Sequence, residues 1–312
     1  MIDIVTGASQ GIGKAIAGAI AEARSHCIND DSNGHPHDAA RDKYQLVLVG
    51  RNTERGSKVA QEIATATGLD VSFQECNVGN FQQVQALRHR LLQEHSVDTI
   101  RVGVLVNDAA ECPHQQRWVD HPRRQPDGNV VTEQLDAQFA TNVLGYHFML
   151  RTFGMDAEYV VNIASNWAGD LDLQDLNFRR RSYDNDTAYR QSKQADRMLS
   201  VFWADRLKEQ QQQKQQSRGK DDYTKVNACH PGDPRTTLST ALGYNMYAKS
   251  PDVSFVRNSR NPILHLCGLT KSSGAVTSGG WYDGGTKPHQ EYFAKNRKEM
   301  EALFDVCESY CV

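Results

Sequence analysis

The sequence of 312 residues lacks the features that mark several classes of protein. Its charges nearly balance, with 35 basic residues against 38 acidic residues, so electrostatics gives no reason to expect nucleic acid or an anionic membrane as partner. No apolar run approaches the roughly 18–20 residues that a membrane span requires. The opening "MIDIVTGASQ" has neither the basic segment nor the long apolar segment of a secretory signal. We therefore expect no membrane span, no nucleic-acid partner and a cytoplasmic location.

Cysteine is present but shows no organised pattern. The seven cysteines include no CxxC pair and no framework of close spacings, which favours free thiols in a reducing compartment. His26, Cys27, His35 and His37 are neighbours in a polar stretch, but their spacing is not typical of a zinc site. The sequence therefore predicts no metal site.

Short apolar runs rich in β-branched residues alternate with helical patterns along the chain. The apolar runs cover residues 2–5, 46–50, 71–78, 102–106, 159–165 and 225–230. Because each run is apolar on both faces, it is typical of a parallel strand covered on both sides. Apolar residues at helical spacing follow from Ile12 to Ala23 and over 53–66, 81–94, 132–153 and 187–209. This alternation predicts an α/β fold, a doubly wound parallel sheet of the Rossmann type.

Three polar segments interrupt this alternation, at about 29–43, 111–128 and 209–222. We expect the first to be an insertion, the second to form a long loop, and the third, "EQQQQKQQSRGKDD", to extend or fray the preceding helix. None has enough apolar residues to pack alone, so we expect residues 1–312 to form one domain with surface insertions.

The first predicted strand runs directly into a glycine-rich turn, Thr6-Gly7-Ala8-Ser9-Gln10-Gly11-Ile12-Gly13, and then into a helix. Glycines allow a tight turn and a close approach of the backbone to a pyrophosphate, and the helix N-terminus supplies free N–H groups. A strand-to-helix turn can also need glycine for steric reasons alone. The order of strand, turn and helix favours a dinucleotide site, and a nucleoside-triphosphate loop of the G-x-x-x-x-G-K-[ST] type is absent. The expected cofactor residues here are Gly7, Ser9, Gln10, Gly11, Ile12 and Gly13.

This T-G-x-x-x-G-x-G turn resembles that of the short-chain dehydrogenase/reductase family in its single-domain, non-extended form, and the resemblance continues along the chain. "LVNDAA" is similar to the family's N-N-A-G segment and keeps Asn107 and Ala109, whereas Asp108 and Ala110 depart from it. Asn142, Ser165, Tyr189 and Lys193 match the family's catalytic asparagine, serine and Y-x-x-x-K pair. "HPGDPRT" matches its P-G turn, which implies cofactor contacts from Pro231, Gly232 and Thr236. "DLDLQDLN" and "GGWYDGG" resemble the retinol dehydrogenase-like and WW-domain oxidoreductase-like branch.

Tyrosine and lysine four residues apart project from one face of a helix. Reduction of a carbonyl leaves an alkoxide that must be protonated, and an ammonium beside Tyr189 lowers the pKa of its phenol from about 10. Ser165, at the end of a strand, can hold the carbonyl oxygen. The resemblance implies that Lys193 also binds the nicotinamide ribose and that Asn142 holds a water in a proton relay. Each residue alone could instead have an ordinary structural role.

The end of the second strand favours NADP(H). An acidic residue there would bind the ribose hydroxyls of NAD, but the sequence has Gly50-Arg51-Asn52, and an arginine suits a 2′-phosphate. Arg51 could also be a plain surface residue. Asn77 stands where relatives carry an aspartate facing adenine, and we include it with Val78 and Asn52 in the expected cofactor site.

The sequence thus predicts an NADP(H)-dependent oxidoreductase that interconverts an alcohol and a carbonyl. The alternative is a non-catalytic NADP(H)-binding sensor or scaffold on the same fold, and NAD remains a less favoured cofactor. Residues that could line a site for an apolar substrate are Trp167, Leu238, Leu242, Tyr244, Met246 and Tyr247. A homodimer through the helices at 132–153 and 187–209 would follow the family pattern.

Overall fold

A parallel sheet of seven strands forms the centre of the computed structural model, which describes residues 1–29, 44–214, 223–244, 247–258, 260–270, 275–289 and 296–312. In chain order the strands of the described residues are β1 Ile2–Thr6, β2 Gln45–Gly50, β3 Asp70–Glu75, β4 Val102–Asn107, β5 Trp118–Arg124, β6 Val130–Asp136, β7 Ala157–Ile163, β8 Lys225–His230 and β9 Trp281–Asp283. All except β5 and β6 belong to the central sheet. The order across the sheet is β3-β2-β1-β4-β7-β8-β9, and every neighbouring pair is parallel. The predicted Rossmann-type sheet is confirmed.

Helices cover both faces of this sheet. They are α1 Gly11–Asn29, α2 Thr53–Thr67, α3 Phe81–Glu94, α4 Gly145–Phe153, α5 Asn185–Lys214, α6 Thr237–Ala241, α7 Val253–Arg257, α8 Ile263–Leu266 and α9 Arg297–Glu308. β1 and β4 are buried along their whole length because helices pack on either side, which is why their sequences read as continuous apolar runs. The two main core clusters lie one on each face of the sheet.

The prediction of a long loop at 111–128 is wrong in part. Residues 118–124 form β5, which pairs with β6 in an antiparallel two-stranded sheet separate from the central one. The N–H of Arg124 also donates to the carbonyl of Ser309, at 2.7 Å. Few apolar side chains mark this strand in the sequence. The hairpin is stabilised instead by its own backbone pairing and by the contact with the end of α9.

The prediction of a helix over 132–153 is also wrong at its start. Residues 132–136 belong to β6, helical backbone begins at Ala137, and a π-helical turn, Phe139–Leu144, continues into α4. Pairing with β5 takes up the backbone groups of Thr132 to Asp136, so tertiary contacts outweigh the local helical spacing.

The other two polar segments are only partly described. Of the segment at 29–43, residues 30–43 lie outside the described residues. α5 extends through Lys214, as expected for the glutamine-rich segment, and residues 215–222 lie outside the described residues. All seven cysteines are free thiols. In the described part of the chain no helix is both long enough and apolar enough to cross a bilayer.

Candidate active site

Two adjoining cavities open along the carboxyl edge of the sheet. One, of about 220 Å³, follows the glycine turn after β1, and the other, of about 360 Å³, lies beyond β7 and β8. The sheet order reverses between β1 and β4, and parallel α/β sheets bind ligands at such a switch point. We call these the nucleotide cavity and the outer cavity. Their walls meet at Ile12, Ala164, Tyr189, Pro231, Thr236 and Leu238.

The glycine turn is held close against the end of β4. Gly7 has a φ of 70°, and a Cβ added to it would lie 2.8 Å from the backbone nitrogen of Ala109. The hydroxyl of Thr6 accepts the N–H groups of Asp108 and Ala109 at 3.0 and 3.2 Å. Only glycine fits at position 7, because any side chain would meet this backbone. The turn therefore leaves a backbone-lined concavity at the N-terminus of α1, which suits a pyrophosphate.

The end of the nucleotide cavity beside β2 is cationic. Arg51 and Arg55 both line it, and the side chain of Asn52 accepts the N–H of Arg55 at 2.8 Å to cap α2. The carboxylate of Glu111 lies 3.7 Å from Arg51 but also contacts Arg117. Because the single carboxylate of Glu111 faces both Arg51 and Arg117, positive charge is in excess beside the helix N-terminus, which suits an anionic group.

Asp108, one of the departures from the family pattern, lies at the wall of the nucleotide cavity. Its carboxylate accepts the N–H of Gly13, and a Cβ at Gly13 would lie 2.7 Å from its Oδ2. Burial raises the pKa of Asp108 to about 7, although Lys193 and the Gly13 hydrogen bond oppose that shift.

Of the four expected catalytic residues, Ser165, Tyr189 and Lys193 line the cavities, whereas Asn142 lines neither. Tyr189 lines both cavities, Ser165 lines the outer cavity with it, and the ammonium of Lys193 lies 6.0 Å from the centre of the Tyr189 ring. Asn142 is fully buried and lies in the π-helical turn, a local geometry frequent at functional sites. Its side chain accepts the N–H of Glu111 at 2.9 Å and donates to the carbonyl of Glu111 at 3.1 Å.

The tyrosine is less acidic than the sequence predicts. Burial raises the pKa of Tyr189 above its usual value, while Lys193 and Ser165 each lower it. Lys193 lowers the Tyr189 pKa as expected, but desolvation of the phenolate raises that pKa by more in the protein without cofactor.

The outer cavity has an aromatic mouth. The rings of Trp167 and Tyr244 meet edge to face at 5.7 Å, and they are 45% and 41% exposed. The indole N–H of Trp167 donates to Asp186 at 2.8 Å. Leu238 and Leu242 form an apolar wall nearby, and Ser165 lies inside.

Most of the expected cofactor residues line the nucleotide cavity: Gly7, Ser9, Gln10, Gly11, Ile12, Arg51, Asn52, Asn77, Val78, Ala109, Lys193, Pro231 and Thr236. Gly232 lines the outer cavity instead. Asn107 is fully buried and donates to the side chain of Asn162 at 2.8 Å, so it ties β4 to β7. Tyr247 is 98% exposed and does not line the outer cavity, and Met246 lies outside the described residues.

Sequence reasoning missed one residue of these walls and several residues behind them. Arg55 lies in the first turn of α2, four residues after Arg51, a position near the cavity that could have identified it. Glu111 and Arg117 carry no motif and come near Arg51 only through the fold. Asp196 forms an ion pair with Lys193 at 2.9 Å, three residues along the same helix. Its spacing from Lys193 was readable, but its burial was not.

The described residues include a group with metal-ligand chemistry, His147, Glu308 and Cys311. His147 has no ring nitrogen left for an ion, because Nδ1 accepts the indole N–H of Trp203 at 3.3 Å and Nε2 donates to Glu308 at 3.0 Å. Arg151 also lies 3.2 Å from the same carboxylate. These contacts describe a buried hydrogen-bond chain between α4, α5 and α9.

Comparisons with known proteins identify the family of this chain. A family profile described as short chain dehydrogenase matches residues 36–243. The chain belongs to the short-chain dehydrogenase family. Members of that family are oxidoreductases that bind a nicotinamide nucleotide and act on small molecules.

This short-chain dehydrogenase is similar in sequence to two retinol dehydrogenases. It is 28% identical to retinol dehydrogenase 13 of Mus musculus over 79% of the chain, and 27% identical to that of Homo sapiens over 90% of the chain. It spans 62% of the mouse protein and 75% of the human protein. The expected resemblance to retinol dehydrogenase-like proteins is confirmed.

Solved structures share the fold. A protein from Mycobacterium paratuberculosis superposes with a TM-score of 0.63 at 20% identity, covering 99% of this chain and 92% of the other. A short chain dehydrogenase from Shigella flexneri 2a strain 301, complexed with NADP, gives a TM-score of 0.56 at 17% identity, covering 90% and 95% of the two chains. At these identities the likeness supports the fold alone.

Proposed function

We propose that this protein is an NADPH-dependent oxidoreductase that reduces the carbonyl of an apolar substrate, and catalyses the reverse oxidation. The observation that carries the proposal is the position of Tyr189, whose side chain lines both the nucleotide cavity and the outer cavity. A proton donor at that junction can reach a substrate in one cavity while a hydride donor occupies the other.

The residues of the nucleotide cavity fit a dinucleotide phosphate. The backbone concavity at Gly7 would take the pyrophosphate, and Arg51 and Arg55 would take the 2′-phosphate. When bound, NADPH supplies the hydride. The complexed NADP in the Shigella flexneri protein is in line with this choice of cofactor.

Two side chains would act on the substrate oxygen, and a third would act through one of them. The Ser165 hydroxyl donates a hydrogen bond that orients the carbonyl, and the Tyr189 hydroxyl delivers a proton as negative charge develops on the oxygen. Lys193 stabilises the tyrosinate that remains. Asn142 holds the backbone of Glu111 beside this group through two hydrogen bonds.

The outer cavity favours an apolar carbonyl compound. Trp167, Tyr244, Leu238 and Leu242 offer aromatic and aliphatic surface, and Asp186 fixes the indole of Trp167 from outside. The name retinol dehydrogenase 13 carried by the relatives suggests a retinoid-like aldehyde or alcohol as the first compound to try.

Replacement of Tyr189 by Phe tests the mechanism. Removal of the phenolic hydroxyl eliminates the proton donor but leaves the cavity walls in place, so we expect NADPH-dependent reduction to fall by about 10²–10⁴-fold. NADPH oxidation should be followed by absorbance with retinaldehyde, an aromatic aldehyde and a dione, and NADPH affinity by fluorescence titration.

Affinity for NADPH should stay within about twofold of the unmodified protein. Tyr183→Phe, whose hydroxyl lies outside both cavities, is the matched control and should keep its rate. Turnover retained in Tyr189→Phe would refute the mechanism. NADPH binding without turnover of any carbonyl by the unmodified protein would favour the sensor or scaffold alternative.

A further inference from the structure

The ammonium of Lys193 is fully engaged by the protein. Its Nζ contacts the carboxylate of Asp196 at 2.9 Å, the carbonyl of Ile163 at 2.8 Å and the hydroxyl of Tyr146 at 3.4 Å. An ammonium has three N–H donors, and three acceptors are present. With the Lys193 side chain only 3% exposed, its charge is balanced inside the protein and not by water.

Asp196 is committed to this lysine. Its side chain is 0% exposed, its Oδ2 forms the ion pair, and its Oδ1 has no hydrogen-bond partner in the part of the chain that the structure describes. Burial of a carboxylate with one unpaired oxygen is costly, and buried ion pairs in general add little stability compared with apolar residues of similar volume. The pair therefore has a role other than stability.

That role follows from the charge that Tyr189 experiences. A lone ammonium would favour the phenolate, but a carboxylate 2.9 Å from the ammonium turns the charge into a dipole and weakens its effect. The other titratable groups that face these residues are Asp108 just after β4, Tyr146 from α4, Cys112, Cys229 from β8 and Cys307 from α9. Burial raises the pKa of each of the three thiols, so they add no charge near neutral pH.

We propose that Asp196 is a positioning residue that fixes Lys193 and partly cancels its charge, so that Tyr189 keeps its proton to higher pH than Lys193 alone would allow. The inference deepens the proposed function and rests on the roles given there to Tyr189 and Lys193. A tyrosine that keeps its proton can donate it to the substrate, as carbonyl reduction requires.

Asp196→Asn tests the proposal with little change in shape. Reduction needs protonated Tyr189, so its rate falls as pH rises through the tyrosine pKa. Without the carboxylate, Lys193 should lower that pKa, and the alkaline limb of the kcat profile should move to lower pH by about one unit. Asp196→Ser should move the limb in the same direction.

Asp3→Asn is the matched control, because Asp3 is also a fully buried carboxylate in an ion pair, with Arg24 at 2.9 Å, but lies on β1 outside both cavities. It should alter stability and leave the limb in place. A limb that does not move in Asp196→Asn, or that moves to higher pH, would overturn the proposal.

A second measurement is independent of turnover. With ε-¹³C-lysine in the full chain and Lys193→Arg to assign the resonance, NMR titration should give a lower Lys193 pKa in Asp196→Asn than in the unmodified protein. An unchanged value would overturn the ion-pair argument. If no carbonyl is reduced, the proposed function fails while this titration still tests the pair.

Discussion

At the scale of single residues, Asp108 shows how one substitution within a family motif changes the chemistry of a site. Its carboxylate accepts the Gly13 N–H and faces the nucleotide cavity, where burial raises the Asp108 pKa to about 7. A carboxyl whose pKa is higher in the folded state than in the unfolded state favours folding at low pH. That contribution is lost as pH rises through the folded-state pKa.

We therefore expect Asp108→Asn to gain stability over the unmodified protein as pH rises from 5 to 8. The amide keeps an acceptor for the Gly13 N–H and carries no charge, so the relative gain should be about 1–2 kcal/mol across that range, allowing for screening at the cavity wall. Urea unfolding at each pH measures it. Asp98→Asn, at an exposed position, should show no such trend; an equal trend in both variants would contradict the argument.

At the scale of elements, the start of α2 carries the charges on which the proposed preference for NADPH rests. Asn52 caps the helix, and Arg51 and Arg55 bring two guanidiniums to the cavity beside its N-terminus. Glu111 approaches Arg51 from the segment after β4 but also contacts Arg117. The net charge at this end is positive, whichever partner Arg51 takes.

Arg51→Ala should weaken NADPH binding about tenfold and leave NADH binding nearly unchanged, because a charge-assisted contact to the 2′-phosphate is worth about 1.5 kcal/mol or more. Titration with NADPH, NADH, 2′,5′-ADP and 5′-AMP measures the difference. Arg55→Ala should act in the same direction. Lys58→Ala removes a cation from the same helix outside the cavity and should have little effect. Equal losses for NADPH and NADH would assign Arg51 a general structural role.

The C-terminal helix α9 is a second element whose role the sequence did not reveal. Phe304 packs against Phe202 and Trp203 of α5, with ring centres 4.6 and 5.2 Å apart. Its last turn reaches the hairpin, where the hydroxyl of Tyr310 donates to Glu133 at 3.0 Å. Two segments far apart in sequence therefore cover one region of the α4 and α5 helices.

At the scale of the whole molecule, the packing of α9 and the hairpin over α4 and α5 affects whether these two helices can form a dimer interface. The helices expected to pair in a homodimer were those at 132–153 and 187–209. Within α4 every residue except Arg151 is buried in the single chain, and α5 carries α9 on its surface. An interface through these helices would require α9 to move away.

We expect the protein to sediment as a monomer at micromolar concentration. Displacing α9 would expose Phe202, Trp203 and Phe304, at a cost of several kcal/mol of buried apolar surface. Analytical ultracentrifugation over a hundredfold range of concentration checks this. A stable dimer would contradict the expectation, and crosslinking together with hydrogen exchange of α9 would show whether its interface lies on α4 and α5.

The sequence by itself determined the alternation of strands and helices, the glycine turn and the order of Asn142, Ser165, Tyr189 and Lys193 along the chain. These were readable because apolar runs, turn glycines and motif spacings are local properties. Only the tertiary structure decided that 118–136 is a hairpin, that Asn107 ties strands together, and that Glu111 meets Arg51. It also decided that Lys193 is buried against Asp196, because burial and partners across the fold are not encoded in any short stretch of residues.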